Sequence, residues 1–455
     1  MTNLSQRLWS RTWERLSATI HIFFKLHKRN VSERASQYLK GLLQARQRNM
    51  EKMTEVVPDT DEQSLQQFLS DSPWDYQAVM NQVAEDVNVM LGGKDSALLL
   101  DESSIVKKGN HSVGVARQWC GRLGKVDNCQ VGVFAALSKG SDVCLIDSEL
   151  FLPKGWIEST ERCDKARVPT EKRELNSKLD IALTLVKRAR NNNLNFGWVG
   201  ADSFYGRDKK LQKALDQSGE TFMLDVPNDF RIYTHDPRPY LPSPSKKGRP
   251  PIRYKTSLVS LEAKHWVKQQ GTNAFGGNVF RDGTKGPMKV EAIHQRVWVW
   301  DGRSAQANCW HFLVRRDGDE EIKYSLSNAP STTSTHRLLY MQGQRHFIER
   351  SFQDSKSHLG LAQYQARNWN SWHHHMALIM MAMVFLLKQR MARKDNYPML
   401  TVSDMVLIFS SILPSRMNGL EQVIGIIEQR HQKRRRDIQL KSRQGYNLCR
   451  GAETA

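Results

Sequence analysis

The sequence predicts an α/β fold with helical segments at both ends and a mainly β stretch set into the middle. Three observations lead there. Apolar residues recur at helical spacing before residue 92, short apolar runs of strand length alternate with amphipathic stretches from residue 93, and strand-forming segments with turn residues fill 229–320. A chain of 455 residues is also too long for one ordinary core. Changes in composition divide it into a helical N-terminal domain (1–92), the first part of an α/β core (93–228), a mainly β insertion (229–320), the rest of the core (321–395) and a helical, basic C-terminal region (396–455).

Charge narrows the partner. Lys and Arg number 67 against 47 Asp and Glu, a formal net charge of +20. Such a chain attracts polyanions, either nucleic acid or anionic membrane. The longest apolar run, 376–387, is shorter than the roughly 20 residues a membrane span needs, so it reads as a buried helix and no membrane partner is expected. A short apolar patch at 20–24 lacks a following cleavage site, so no signal peptide is expected. Six scattered cysteines, none at zinc-finger spacing, point to a reducing cytoplasm.

Taken in order, residues 1–50 carry ten Lys/Arg and two Glu, whereas 51–100 carry two Lys and ten acids. Leu8, Trp13, Leu16, Ile20 and Phe23 mark a first helix, and further helices are expected over 33–52 and 61–69. The basic N-terminal face either docks on DNA ends or is a solvated face of a packing domain. After Gly92-Gly93, the run 97–100 ends in Asp101, as in a central strand with an acid at its tip. Strands are expected over 131–137, 143–152, 196–199 and 221–226, with helices over 177–191 and 207–217. That β-β-β-α-β-α-β order is the order of an RNase H-like core. Its first and fourth strands are neighbours, so Asp101 and Asp202 would stand at adjacent strand ends.

Paired carboxylates suit phosphodiester chemistry. Two divalent ions held roughly 3.5–4 Å apart can activate a hydroxyl and stabilise the leaving oxygen. Mg²⁺ takes hard oxygen ligands and needs few carboxylates. A third acid is expected from 345–356, which follows a strand at 321–326 and a Ser/Thr-rich stretch able to cap a helix. On a helix, Arg345, Glu349 and Lys356 fall within about 40° of one another. Arg can fork onto phosphate and Lys can act as a point charge. An ordinary surface helix with i, i+4 Arg–Glu pairing fits the same spacing.

The R-x3-E-x6-K spacing is similar to the YREK signature of bacterial insertion-sequence DDE transposases. Three further stretches resemble one branch of that superfamily: LQQFLSDSPWD at 65–75, DESSIVKKGNHSVGVARQWCGRLGKVDNCQVGV at 101–133 and GADSFYG at 200–206. With GLAQYQARNWNSWHHHMAL at 360–378, the resemblance covers most of 35–390. It implies that Asp101, Asp202 and Glu349 form a catalytic, metal-holding triad, with Arg345 and Lys356 contacting phosphate. The signature's Tyr falls at Gln342, and Tyr340 stands two positions earlier. The resemblance also implies Mg²⁺, with Mn²⁺ as substitute and two ions per site. Its partners would be double-stranded DNA, as element ends and as target, with a homodimer in the synaptic complex and no small-molecule substrate. The reaction implied is cleavage that frees 3′ ends and their transfer into target DNA, in a bacterial cytoplasm. A metal-dependent nuclease without strand transfer would share the triad, whereas a domesticated DNA-binding protein would be expected to have lost an acid.

The insertion is expected to hold strands over 256–263, 290–300 and 310–315. Lys246, Lys247 and Arg249 lie in a stretch similar to an AT-hook, which reads equally as an extended basic loop on phosphate. Trp298 and Trp300 share a face and could stack on an unpaired base or pack in the core. Lys107 and Lys108, just past the first strand, either hold the scissile strand or are solvated. Consecutive His373, His374 and His375 point different ways on a helix, which argues against a single metal site. The tail 430–443, with seven Lys/Arg and one Asp, reads as a DNA-backbone contact or as disordered.

Overall fold

In a computed structural model, the structure describes residues 30–243, 251–283, 286–317 and 321–416, with Phe24 and scattered positions between 419 and 439. The expected first helix, the AT-hook-like stretch and most of the basic tail lie outside the described residues.

Among the described residues from 30 onward, four helices precede the sheet: α1 (Ser32–Gln44), α2 (Met50–Val56), α3 (Glu62–Ser70) and α4 (Tyr76–Leu91). The single helix expected over 33–52 is broken. Asn49 takes up an extended conformation and its side chain caps α2 through the Lys52 N–H, while Arg48 donates to the Leu42 carbonyl at the end of α1. Helix α4 was not anticipated. It starts at Asp75, whose carboxylate accepts from the N–H groups of Gln77 and Ala78, and it buries Val79, Met80, Val83, Ala84, Val87 and Leu91. These helices share one hydrophobic core with the sheet and the long helix after it.

Among the described residues, the sheet has ten strands. The first six are β1 (Gly93–Val106), β2 (Ala116–Cys120), β3 (Lys125–Lys139), β4 (Asp142–Leu150), β5 (Phe196–Ala201) and β6 (Phe222–Val226). Between β4 and β5 come α5 (Thr160–Lys165) and α6 (Lys178–Asn191). Helix α6 opens with a reciprocal capping box between Ser177 and Asp180. A short helix not anticipated, α7 (Ser203–Gly206), precedes α8 (Lys209–Gln217), which is the helix expected over 207–217 and is capped by Asp208. Strand β1 runs antiparallel to β3 and parallel to β5, β3 runs antiparallel to β4, and β5 runs parallel to β6. The first and fourth core strands are therefore neighbours, with Leu100 opposite Ala201.

The expected strand over 256–263 is not one. Only Leu261–Glu262 pairs, with Arg231–Ile232, and the chain then turns into α9 (Ala263–Gln270). Ala263, Trp266 and Val267 bury at helical spacing, and that period prevails over the local β-branched content. Strands β7 (Gly276–Gly283), β8 (Gly286–Val299), β9 (Asn308–Asp317) and β10 (Glu321–Ser327) follow, and they extend the core sheet through β10 on β6, giving the order β2-β3-β1-β5-β6-β10-β9-β8-β7.

Helices α10 (Thr335–Gln344), α11 (His346–His358), α12 (Trp369–Met391) and α13 (Val402–Ile412) complete the described fold. The apolar run of 376–387 is buried within α12, against α4 and β4. Among the described residues, no helix is long and apolar enough to cross a membrane. The three histidines of α12 find separate partners. His373 Nδ1 lies 3.0 Å from the Trp369 carbonyl, His374 bridges the carbonyls of Leu69 and Trp74, and His375 meets the Tyr38 hydroxyl at 2.8 Å. The last two tie α12 to α1 and to the end of α3.

Gly206 ends α7 where the chain presses on β6, and a Cβ there would collide with the Asp225 carbonyl. Gly206→Ala should therefore cost about 1–3 kcal/mol in chemical denaturation, as overpacking usually does. An unchanged midpoint would mean that α7 can lift from the sheet freely.

Candidate active site

Strand pairing brings the first two acids together. Asp101 follows Leu100 on β1 and Asp202 follows Ala201 on β5, so the parallel register sets the two side by side. Only β5 ends there, because β1 runs on to Val106 in its pairing with β3, and the strand tip expected at Asp101 is mid-strand. Asp202 also caps α7, accepting from the Phe204 N–H at 2.9 Å and the Tyr205 N–H at 3.4 Å. Burial, and then the charge of Asp202, push the Asp101 carboxyl up to about 7, against the pull of Arg345. Burial likewise raises Asp202, opposed by Arg345 and by its two backbone N–H donors. Two hard oxygen donors in a water-poor site, short of compensating charge, fit a divalent cation.

Glu349 lies in the first turn of α11, with its carboxylate half-exposed and bonded to Arg345 Nη1 at 2.5 Å. Arg345 sits at the junction of α10 and α11, and its Nε is 3.5 Å from Asp225 Oδ2. That separation is an ion pair without hydrogen-bond geometry, and the Nε proton finds no acceptor. Burial lowers the guanidinium's pKa, but Asp225, Asp101, Glu349 and Asp202 together hold it above its ordinary value. Arg345 is thus the shared counter-charge of four acids. Among the described residues, no three His, Cys, Asp or Glu side chains stand close enough to hold one metal ion.

Lys356 lies on the same helix, two turns on. Burial and Arg122 depress its pKa, while Cys120 and Asp101 oppose them, and its ammonium lies 5.6 Å over the Phe352 ring. The other expected contacts are not gathered here. Lys107 donates to the Tyr364 carbonyl at 2.9 Å and lies 3.8 Å over that ring, and burial brings it down to about 8. Lys108 is exposed. Trp298 is half-buried on β8, five strands from β1 and so roughly 24 Å away at ~4.8 Å per strand. Trp300 is buried and donates to the Ser304 carbonyl. Lys246, Lys247 and Arg249 are outside the described residues.

Sequence reasoning missed the support behind Arg345. Gln342, at the signature's Tyr position, donates to Ser325 Oγ at 2.7 Å, and Ser325 donates to Asp225 Oδ1 at 2.6 Å. Tyr340 instead donates to the Asp95 carbonyl. An acid interrupting the apolar strand 222–226 was the available signal, since buried acids are rare unless paired. Glu102 was missed as well. It takes Lys178 at 2.8 Å and the Tyr205 hydroxyl at 3.1 Å, clamping α6 and α7 to β1.

With that geometry in view, the class of protein is defined. A family model described as DDE superfamily endonuclease matches residues 22–287, more than half of the chain, and the chain belongs to that family. The match spans Asp101 and Asp202 and ends before Glu349. The chain is also 30% identical, over 188 residues, to a protein of Microchaete diplosiphon named as a probable transposase for insertion sequence element IS701. That alignment covers 41% of this chain and 46% of the other protein, so it spans about half of that relative's length.

The raised Asp101 carboxyl carries a stability consequence. The unfolded chain ionises near ~4 and the folded one near 7, so stability is lost as pH rises through that window. In excess chelator, Asp101→Asn should be more stable than the parent at about pH 8, by at most on the order of 4 kcal/mol, and equal to it near pH ~4. A variant no more stable than the parent at the higher pH would show that Arg345 already balances the charge.

Proposed function

We propose that the protein is a transposase that binds the ends of an insertion sequence, cleaves DNA with divalent metal ions and transfers the 3′ ends into target DNA. One observation carries this reading: the half-buried Asp101–Asp202 pair, set by the β1–β5 register in a chain of this family. The relative named as a probable transposase supports it. Asp101 and Asp202 would hold Mg²⁺, or Mn²⁺ in its place, with Glu349 as third ligand. Bound divalent ions supply activation of the attacking hydroxyl and stabilisation of the leaving oxygen.

The chain's own groups do the rest. In the metal-free protein Arg345 neutralises the acids, and Glu349 must exchange that partner before joining the other two. Asp225 and Ser325 keep the guanidinium at the site during the exchange, where its fork suits a phosphate. Lys356 adds a point charge beside Asp101. The protein acts as a homodimer that bridges two ends, on DNA in the bacterial cytoplasm.

Incubation with a library of candidate end sequences and Mg²⁺, followed by sequencing of products, tests this. Joined 3′ ends are expected; cleaved but never joined products would make the protein a nuclease. Asp101→Asn, Asp202→Asn and Glu349→Gln should each lower cleavage roughly 10³-fold, as loss of several kcal/mol of transition-state stabilisation requires, while end binding persists. Near-parental cleavage by any of them would remove that residue from the site. Ca²⁺ should permit assembly with little cutting, because its coordination is looser. Full activity in excess EDTA would refute metal dependence.

A further inference from the structure

A basic groove lies apart from the acids. It opens past the C-terminal end of β1, holds about 550 Å³, and is lined by Gln66, His111, Lys165, Arg167, Gln365 and Arg367 among others. These residues come from α3, the loop after β1, the end of α5 and the segment between α11 and α12. Their backbones are stitched together. The Val113 N–H donates to the Arg367 carbonyl at 2.9 Å and the Trp369 N–H to the Ala166 carbonyl at 2.8 Å, while the Asn368 amide reaches the Ser70 carbonyl at 3.1 Å. The groove therefore exists before any ligand arrives.

Its charge is one-sided. No acid lines it, and among the described residues neither Lys165 nor Arg367 has a carboxylate partner. Arg167 pairs with Asp71 at the surface. Helix α5 closes with the Val168 N–H on the Cys163 carbonyl and the Arg167 N–H on the Asp164 carbonyl, which makes Arg167 the left-handed residue of a Schellman motif, at φ 55°. Glycine is the usual residue there. The chain carries an arginine instead, against backbone preference, and its side chain lines the groove.

We infer that this groove is a second DNA-docking surface, one that takes the phosphodiester backbone of duplex DNA beyond the cutting position. The inference rests on the transposase reading above. Its position suits the role. Six residue steps separate Asp101 from Lys107, about 20 Å at ~3.3 Å each. Lys107 is bonded to the carbonyl of Tyr364, next to Gln365 of the groove. That reach is roughly six steps of duplex at ~3.4 Å per base pair. Paired arginines and a lysine recognise phosphate irrespective of base, so the groove adds affinity and register without reading sequence.

The test measures binding of the full-length protein to a fluorescent duplex of unrelated sequence, in excess EDTA, across a salt series. Each lost phosphate contact should flatten the log–log salt slope by about 0.9. Lys165→Ala/Arg367→Ala should flatten it by about 2, with an unchanged melting temperature. Arg167→Gly relieves the left-handed turn, so its melting temperature should hold or rise while the slope falls by about 0.9. Parental slopes in folded variants would overturn the groove and leave the transposase reading standing. A parent protein without salt-dependent DNA binding would overturn that reading itself.

Discussion

The hydrogen-bonded register between β1 and β5 sets Asp101 and Asp202 side by side, where the charge of Asp202 helps to raise the Asp101 carboxyl. Both residues are half-buried and desolvation raises both carboxyls, so the ionised pair is destabilising by itself. The rest of the site answers that strain. Asp202 is eased by two backbone N–H groups of α7, which can approach only because Gly206 lets that helix lie flat on β6. Arg345 supplies the remaining counter-charge. A site arranged in this way is short of positive charge rather than of ligands, as suits a cation that arrives from solution.

Arg345 is itself held from behind, and the holding groups tie the extended sheet to the chemistry. Ser325 belongs to β10, Asp225 to β6 and Gln342 to α10, and Arg315 of β9 donates to Gln342 at 3.1 Å. A strand of the stretch that reads as an insertion, β9, therefore joins the core strands β6 and β10 in bracing the turn between α10 and α11, where Arg345 and Glu349 are set. A buried polar chain of this kind is worth most when every member is satisfied. Here Arg345 Nε is left without an acceptor.

Much of the core was legible because its elements are locally encoded. The apolar run before Asp101, the strand ending at Ala201 and the Ser177–Asp180 box each state their own structure within a few residues. The helix break at Asn49 and α9 were misread because capping and a three-residue burial period outweighed continuous pattern. Helix spacing correctly set Arg345 and Glu349 on one face. It left open whether the arginine met phosphate or the carboxylate, and in the described structure it meets the carboxylate.

The sequence by itself determined the family resemblance, the basic balance, the two acids that follow apolar strand runs and the shared helical spacing of Arg345, Glu349 and Lys356, since all of these follow from residue type and short-range period. Tertiary structure decided which charges neutralise one another. Asp225 became a partner of Arg345 through the β6–β10 pairing, across a hundred residues of chain. Lys107 turned to the Tyr364 carbonyl, and α12 drew its histidines onto the N-terminal helices. Electrostatic partnership depends on distance and burial, and neither is written in the spacing of residues along the chain.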